Sequence, residues 1–270
     1  MCVNRIKFII GTLLLTGMLL TGCSFDVTNI LESALGQEDA TQEEQMSNTD
    51  TAASGQQAVS DDSEVLVFEK EEDDSSHVQT LPKEDLAQVQ ENLVSEGFCN
   101  YAYEQLDDEE QLVYSEILSI FQKHESDVQV STLDTEMIDL AYNCVMLDHP
   151  EIFYISGYSI TKYTRGDQVE KITVSGSYTM DADEEAEEQL AVDAYADKCL
   201  SGISDGAGEY EKVKYIYEYL IVNTEYDLNA PENQNILSVF VGGKSVCQGY
   251  AKATQYLLNK MNVFCICVEG

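Results

Sequence analysis

Tryptophan is absent from the 270 residues, and only 14 lysines and arginines stand against 50 aspartates and glutamates. The formal charge of −36 leaves no basic footprint of the kind that nucleic acid requires. It also disfavours adhesion to anionic lipid by charge. No Cys-x-x-C pair and no Cys/His cluster occurs, so zinc is not indicated, and no cofactor is implied. There is no internal repeat. Histidine occurs three times, as His77, His124 and His149. The longest apolar run, Phe8 to Leu20, falls short of the roughly 20 residues that cross a bilayer.

That apolar run follows Arg5 and Lys7 and precedes small residues, the order of an export signal over residues 1–22. Its boundary, Leu20-Thr21-Gly22-Cys23, resembles the lipobox of bacterial lipoproteins. The resemblance implies cleavage before Cys23 and a diacylglyceryl thioether on its sulfur, hence a lipid-anchored, extracytoplasmic protein at the cell membrane. Residues 23–96 are rich in Asp, Glu, Gln, Ser, Thr and Ala, with no Lys or Arg from Ser24 to Glu69, and read as an acidic disordered tether. Within it, Val65 to Phe68 is a short apolar patch with no assigned partner.

An α+β fold is expected from residue 97 onwards, with an N-terminal subdomain over 97–180 and a second domain over 181–270. Asp107 to His124 has an apolar stripe of Leu112, Val113, Ile117, Ile120 and Phe121, which predicts a helix. A second helix is predicted from an Asp134 N-cap to Leu147, ended by His149-Pro150. Ile152–Tyr163 and the segment around Ile172, Val174, Gly176 and Tyr178 read as strands joined at Arg165-Gly166-Asp167. In the second strand Lys171, Thr173 and Ser175 are expected on a solvated face. Helices follow over Asp183–Leu200 and around Val213, Ile216, Tyr217, Leu220 and Ile221. The acidic run Asp181 to Glu188 lacks the glycine and spacing of an EF-hand loop and reads as a carboxylate-rich helix start.

The string Gly242-Gly243-Lys244-Ser245-Val246-Cys247-Gln248-Gly249-Tyr250-Ala251 puts Cys247 after a glycine turn and at the start of a helix ending near Lys260. Open N–H groups and the helix dipole there favour the thiolate, the nucleophilic form of cysteine. Cys144 and Cys199 lie on apolar helical stripes and read as packing residues. Val263 to Val268 reads as a buried strand, with Cys265 and Cys267 sharing one face.

With Asn223-Thr224-Glu225-Tyr226-Asp227 upstream, this order resembles the transglutaminase-like superfamily over roughly Tyr210 to Gly270. The resemblance implies a papain-like core, with the nucleophile helix packed on an antiparallel sheet. It implies Cys–His–Asp chemistry in which Cys247 forms a thioester with an amide substrate, a surface protein or cell-wall peptide. Resolution by an amine gives transamidation, and by water hydrolysis. The backbone N–H of Cys247 is the expected oxyanion donor, and Lys244 a neighbouring positive charge. The family's His and Asp follow the cysteine helix, but none follows Cys247 here. His77 falls in the tether, and His124 and His149 at helix ends, so none is assigned as the base. A chain cut after its first core strand, and inactive as 270 residues, is one reading. A non-catalytic envelope-binding or structural module on the same fold is the other.

Overall fold

The computed structural model describes residues 65–71, 77–96 and 99–268, without the side chains of residues 95 and 96. The export signal, Cys23 and residues 24–64 of the expected tether lie outside the described residues.

The best-formed helices begin where short acidic side chains stop the chain from being extended. Asp107 accepts hydrogen bonds from the N–H groups of Glu109 and Glu110, and Glu110 accepts from the N–H of Asp107, opening α3 (Asp108–Gln122). Asp134 accepts from the N–H of Glu136 and opens α4 (Thr135–Asp148). Between them runs the two-residue strand β3 (Val128–Gln129). The apolar stripe of α3 packs on α4 and on the sheet, with Val113, Ile117, Ile120 and Phe121 buried.

The sheet is built on the hairpin of β4 (Ile155–Arg165) and β5 (Gln168–Tyr178), turned at Gly166-Asp167 with Gly166 in the left-handed region. Strand β3 adds to β5 in antiparallel fashion, and β2 (Gln79–Thr80) adds to β3 in parallel. On the other side β1 (Leu66–Glu71) runs parallel to β4, giving the order β1-β4-β5-β3-β2. One face, with Tyr158, Ile160, Ile172 and Val174, enters the core. The other face is polar yet not solvated as expected: Thr173 and Tyr163 are buried. Asp127 explains this, because its carboxylate accepts from Tyr163 Oη at 3.0 Å and Thr173 Oγ1 at 2.5 Å, while its N–H donates to Ser175 Oγ at 2.7 Å.

Two segments expected in the tether are structured. Strand β1 joins the sheet through its backbone while Leu66, Val67 and Phe68 stay half exposed. Helix α1 (Lys83–Glu96) docks on α3, with Leu93 buried and Val89 packed against the core one turn before it, and Asp85 pairs with Lys123. The ordered part therefore includes residues well before 97.

Helix α2 (Tyr101–Gln105) precedes α3. After the sheet, α5 (Ala182–Leu200) opens on an Asp181–Glu184 capping box, the role expected of that acidic run. Helix α6 (Glu209–Asn223) buries Ile216 and Leu220 but leaves Val213, Tyr217 and Ile221 largely exposed. A single core runs from Leu93 to Val263, so the regions on either side of residue 180 share one interior. Val263 to Val268 is not a strand. Val263 N–H closes back on Leu258 O after Asn262 turns left-handed, and Phe264 is half exposed against Tyr101. Without a neighbouring strand among the described residues, an apolar run has no ladder to join.

Candidate active site

The two halves of the sequence motif meet in space. After α6 the chain forms β6 (Glu225–Tyr226), and after the short helix α7 (Ile236–Phe240) it forms β7 (Lys244–Ser245). These pair in parallel, Glu225 opposite Lys244 and Tyr226 opposite Ser245. The pair is closed at its ends by Glu225 N–H to Gly243 O at 2.9 Å and Asp227 N–H to Ser245 O at 3.0 Å. Gly243 takes a φ of 64°, the left-handed conformation glycine adopts without penalty, which turns the chain from α7 into β7.

Beneath this pair Ser245 is fully buried. Its Oγ lies 2.9 Å from Asn233 O and 2.7 Å from Ser238 Oγ on α7. Asn235 caps α7 by accepting from Leu237 N–H, and its amide also donates to Phe153 O beside the main sheet. Gly249 of the motif sits against the same network: a Cβ there would overlap Ser245 Oγ and lie 2.9 Å from both Asn233 O and Ser238 Oγ. Tyr250 Oη donates to Thr224 O at 2.6 Å and its ring stacks on Tyr226. The first turn of α8 (Cys247–Lys260) is thereby held from three sides.

Cys247 is the first residue of α8 and is exposed. Val246, at the N-cap, offers no side-chain hydrogen bond, and the first turn holds no acidic residue. The first N–H groups of a helix have no intrahelical partner, so α8 presents donors and a positive dipole end beside an accessible sulfur. Lys244 bonds Glu225 at 3.3 Å and Asp227 at 3.5 Å. Glu225 foremost, then Asp227, raises its pKa, and its charge is largely answered by these two carboxylates.

The other described thiols differ. Cys199 is buried, which pushes it up to about 11. Burial likewise raises Cys144 and Cys265, in Cys144 with help from Asp148 and Glu110. Cys99 and Cys267 are half-buried.

The structure places each histidine at work elsewhere. His77 is not in a tether: its Nε2 is 2.6 Å from Asp127 Oδ2 on the polar sheet face. His124 is not solvated, since it stacks on Tyr154 and Tyr178 and pairs with Glu185 at 2.7 Å. His149 ends α4 as expected and lies 2.7 Å from Glu151. Gln255 Nε2 donates to Leu147 O, which sets the end of α4 beside the middle of α8, about 12 Å along the helix axis from Cys247.

Among the described residues α8 packs on α6, α7 and β7. Among those residues no group of three or more His, Cys, Asp or Glu side chains is arranged to hold a metal ion, and no helix is long and apolar enough to cross a membrane. No protein-family model and no curated protein matches the chain.

Proposed function

We propose that the chain is a transglutaminase-like cysteine enzyme of the cell envelope, anchored through lipid on Cys23, that transfers acyl groups from amides through Cys247. The observation that carries this reading is the exposed Cys247 thiol on an uncapped helix start, fixed by the β6–β7 pair. The Cys247 sulfur attacks the amide carbonyl, a C–S bond forms, and the oxyanion is met by the open N–H groups of α8. The C–N bond then breaks, the amine leaves with the proton given up by the thiol, and an amine or water resolves the thioester and returns a proton to the sulfur. The substrate is a protein or cell-wall peptide, and the papain-like core belongs to this reading.

The proton transfers require a base and an acid, and His77, His124 and His149 are each paired with a carboxylate, Asp127, Glu185 and Glu151. That observation favours a second reading, a non-catalytic envelope module. An aryl ester separates the two, because its phenolate leaves without being protonated. The first reading expects intact mass spectrometry to show one acyl group, mapped to Cys247 and absent from Cys247→Ser. Acyl groups spread over several cysteines and lysines, or none at all, would favour the module.

A further inference from the structure

A cavity of about 430 Å³ opens between α1, α3 and the β2–β3 edge of the sheet, lined by Leu81, Leu86, Leu112 and Val130, with Lys83 also on its wall. It is within the range of small-molecule sites and its walls are mostly apolar. One carboxylate lines it: Glu116 of α3, 6 % exposed. Both hydrogen bonds it receives from Ser131, from the N–H at 2.9 Å and from Oγ at 3.1 Å, go to Oε2. Oε1 receives none among the described residues, and no cation lies within ion-pair distance of Glu116 among them.

A buried carboxylate without a counter-ion is costly, and proteins ordinarily pair such a charge or keep it neutral. Burial does raise the Glu116 carboxyl above its ordinary range, while the Ser131 bonds pull it down. Glu116 stands four residues after Leu112 and four before Ile120, within the apolar stripe of its helix, where a residue chosen for packing alone would be aliphatic.

We infer that this cavity is a binding site for an aliphatic primary amine, with the ammonium group on Glu116 Oε1 and the hydrocarbon stem along Leu81, Leu86, Leu112 and Val130. The ammonium supplies the donors that Oε1 lacks, and the stem covers apolar wall. This site is separate from Cys247 and stands or falls independently of its chemistry.

The probe is n-hexylammonium, titrated into the full chain and followed by the methyl resonances of Leu86, Leu112 and Val130. Hexanol serves as the uncharged isostere, and N-acetyl-lysine methylamide as the amine borne on a peptide. The shifts should be confined to this cavity. Glu116→Gln, which keeps an acceptor for Ser131, should weaken hexylammonium by about tenfold or more and leave hexanol unchanged. Loose attraction to a strongly acidic protein would barely notice the loss of one carboxylate among 50, so it predicts no such change. Equal binding of hexylammonium and hexanol, equal binding in Glu116→Gln, or shifts spread over the surface would overturn the assignment. Binding of the lysine derivative with the same dependence on Glu116 would make a peptide lysine the source of the amine.

Discussion

The starts of α5 and α8 differ in what fills them. At α5, Asp181 takes the N–H groups of Asp183 and Glu184, Glu184 takes the N–H of Asp181, and three acidic residues fill the first turn. At α8 the cap is valine, the first turn is Cys-Gln-Gly-Tyr, and no carboxylate is there. In a chain with 50 acidic residues, most helix starts recruit one. Even α2, with no cap of its own, is closed from a distance: buried Asp148 accepts from the N–H groups of Ala102 and Tyr103 at 2.9 Å each and from Tyr114 Oη. A helix start given over to stability uses up its donors. The start of α8 keeps its donors and is stabilised from below instead, by Ser245, Asn233 and Gly249.

The largest test of this contrast is Asp148→Ala. It strands two buried N–H groups and a tyrosine hydroxyl, and should cost about 3 kcal/mol in denaturant unfolding. Gly249→Ala attacks the support of α8, forcing a methyl group into the Ser245–Asn233–Ser238 network at a cost of about 2 kcal/mol. It should also shift the Cys247 amide resonance. Asp181→Ala should cost about 1 kcal/mol, the ordinary worth of a cap. Val246→Thr is the reciprocal change, supplying α8 with the missing cap at nearly constant volume. It should alter stability by a few tenths of a kcal/mol while slowing Cys247 alkylation several-fold.

Glu116 gives the smallest effect, one that depends on pH. Its folded pKa is raised, so between its unfolded and folded values the native state holds more protons than the unfolded state. Its contribution is fully present below the unfolded value, about 4.3, and is lost as pH rises through the folded value. The stability of Glu116→Gln relative to the wild type should therefore grow as pH rises above about 4 and then level off. A difference that shrinks over that range contradicts the assignment.

Much of the frame can be read from residue types alone. Asp107, Asp134 and Asp181 mark their helix starts, Gly166 marks the hairpin, and the step from Ser245 to Cys247 marks the start of α8. These are local signals, and local hydrogen bonds decide them. What escaped the sequence depends on partners. Strand β1 carries no alternation because Leu66, Val67 and Phe68 bury little, and only its pairing with β4 defines it. Helix α1 hides its short apolar stripe in acidic surroundings. On α6 the periodicity finds residues that share a face, but Tyr217 is 63 % exposed because no described element covers that side. The same limit explains Val263 to Val268, where hydropathy suggests a strand and no ladder forms. The pairing of His77 with Asp127 spans 50 positions and left no local trace. Glu116 did leave one, as a carboxylate inside an apolar stripe.

The central claim is that the fold makes the Cys247 thiol more reactive than a cysteine in an unstructured chain. It is tested by its second-order rate with iodoacetamide at neutral pH, measured by peptide mapping in the native protein. The reference is the synthetic peptide Gly242–Lys260, in which α8 lacks its supports. The native protein should react faster than the peptide, with Cys247 the first of the described cysteines modified, ahead of Cys99, Cys144, Cys199, Cys265 and Cys267. A native rate at or below that of the peptide would contradict it.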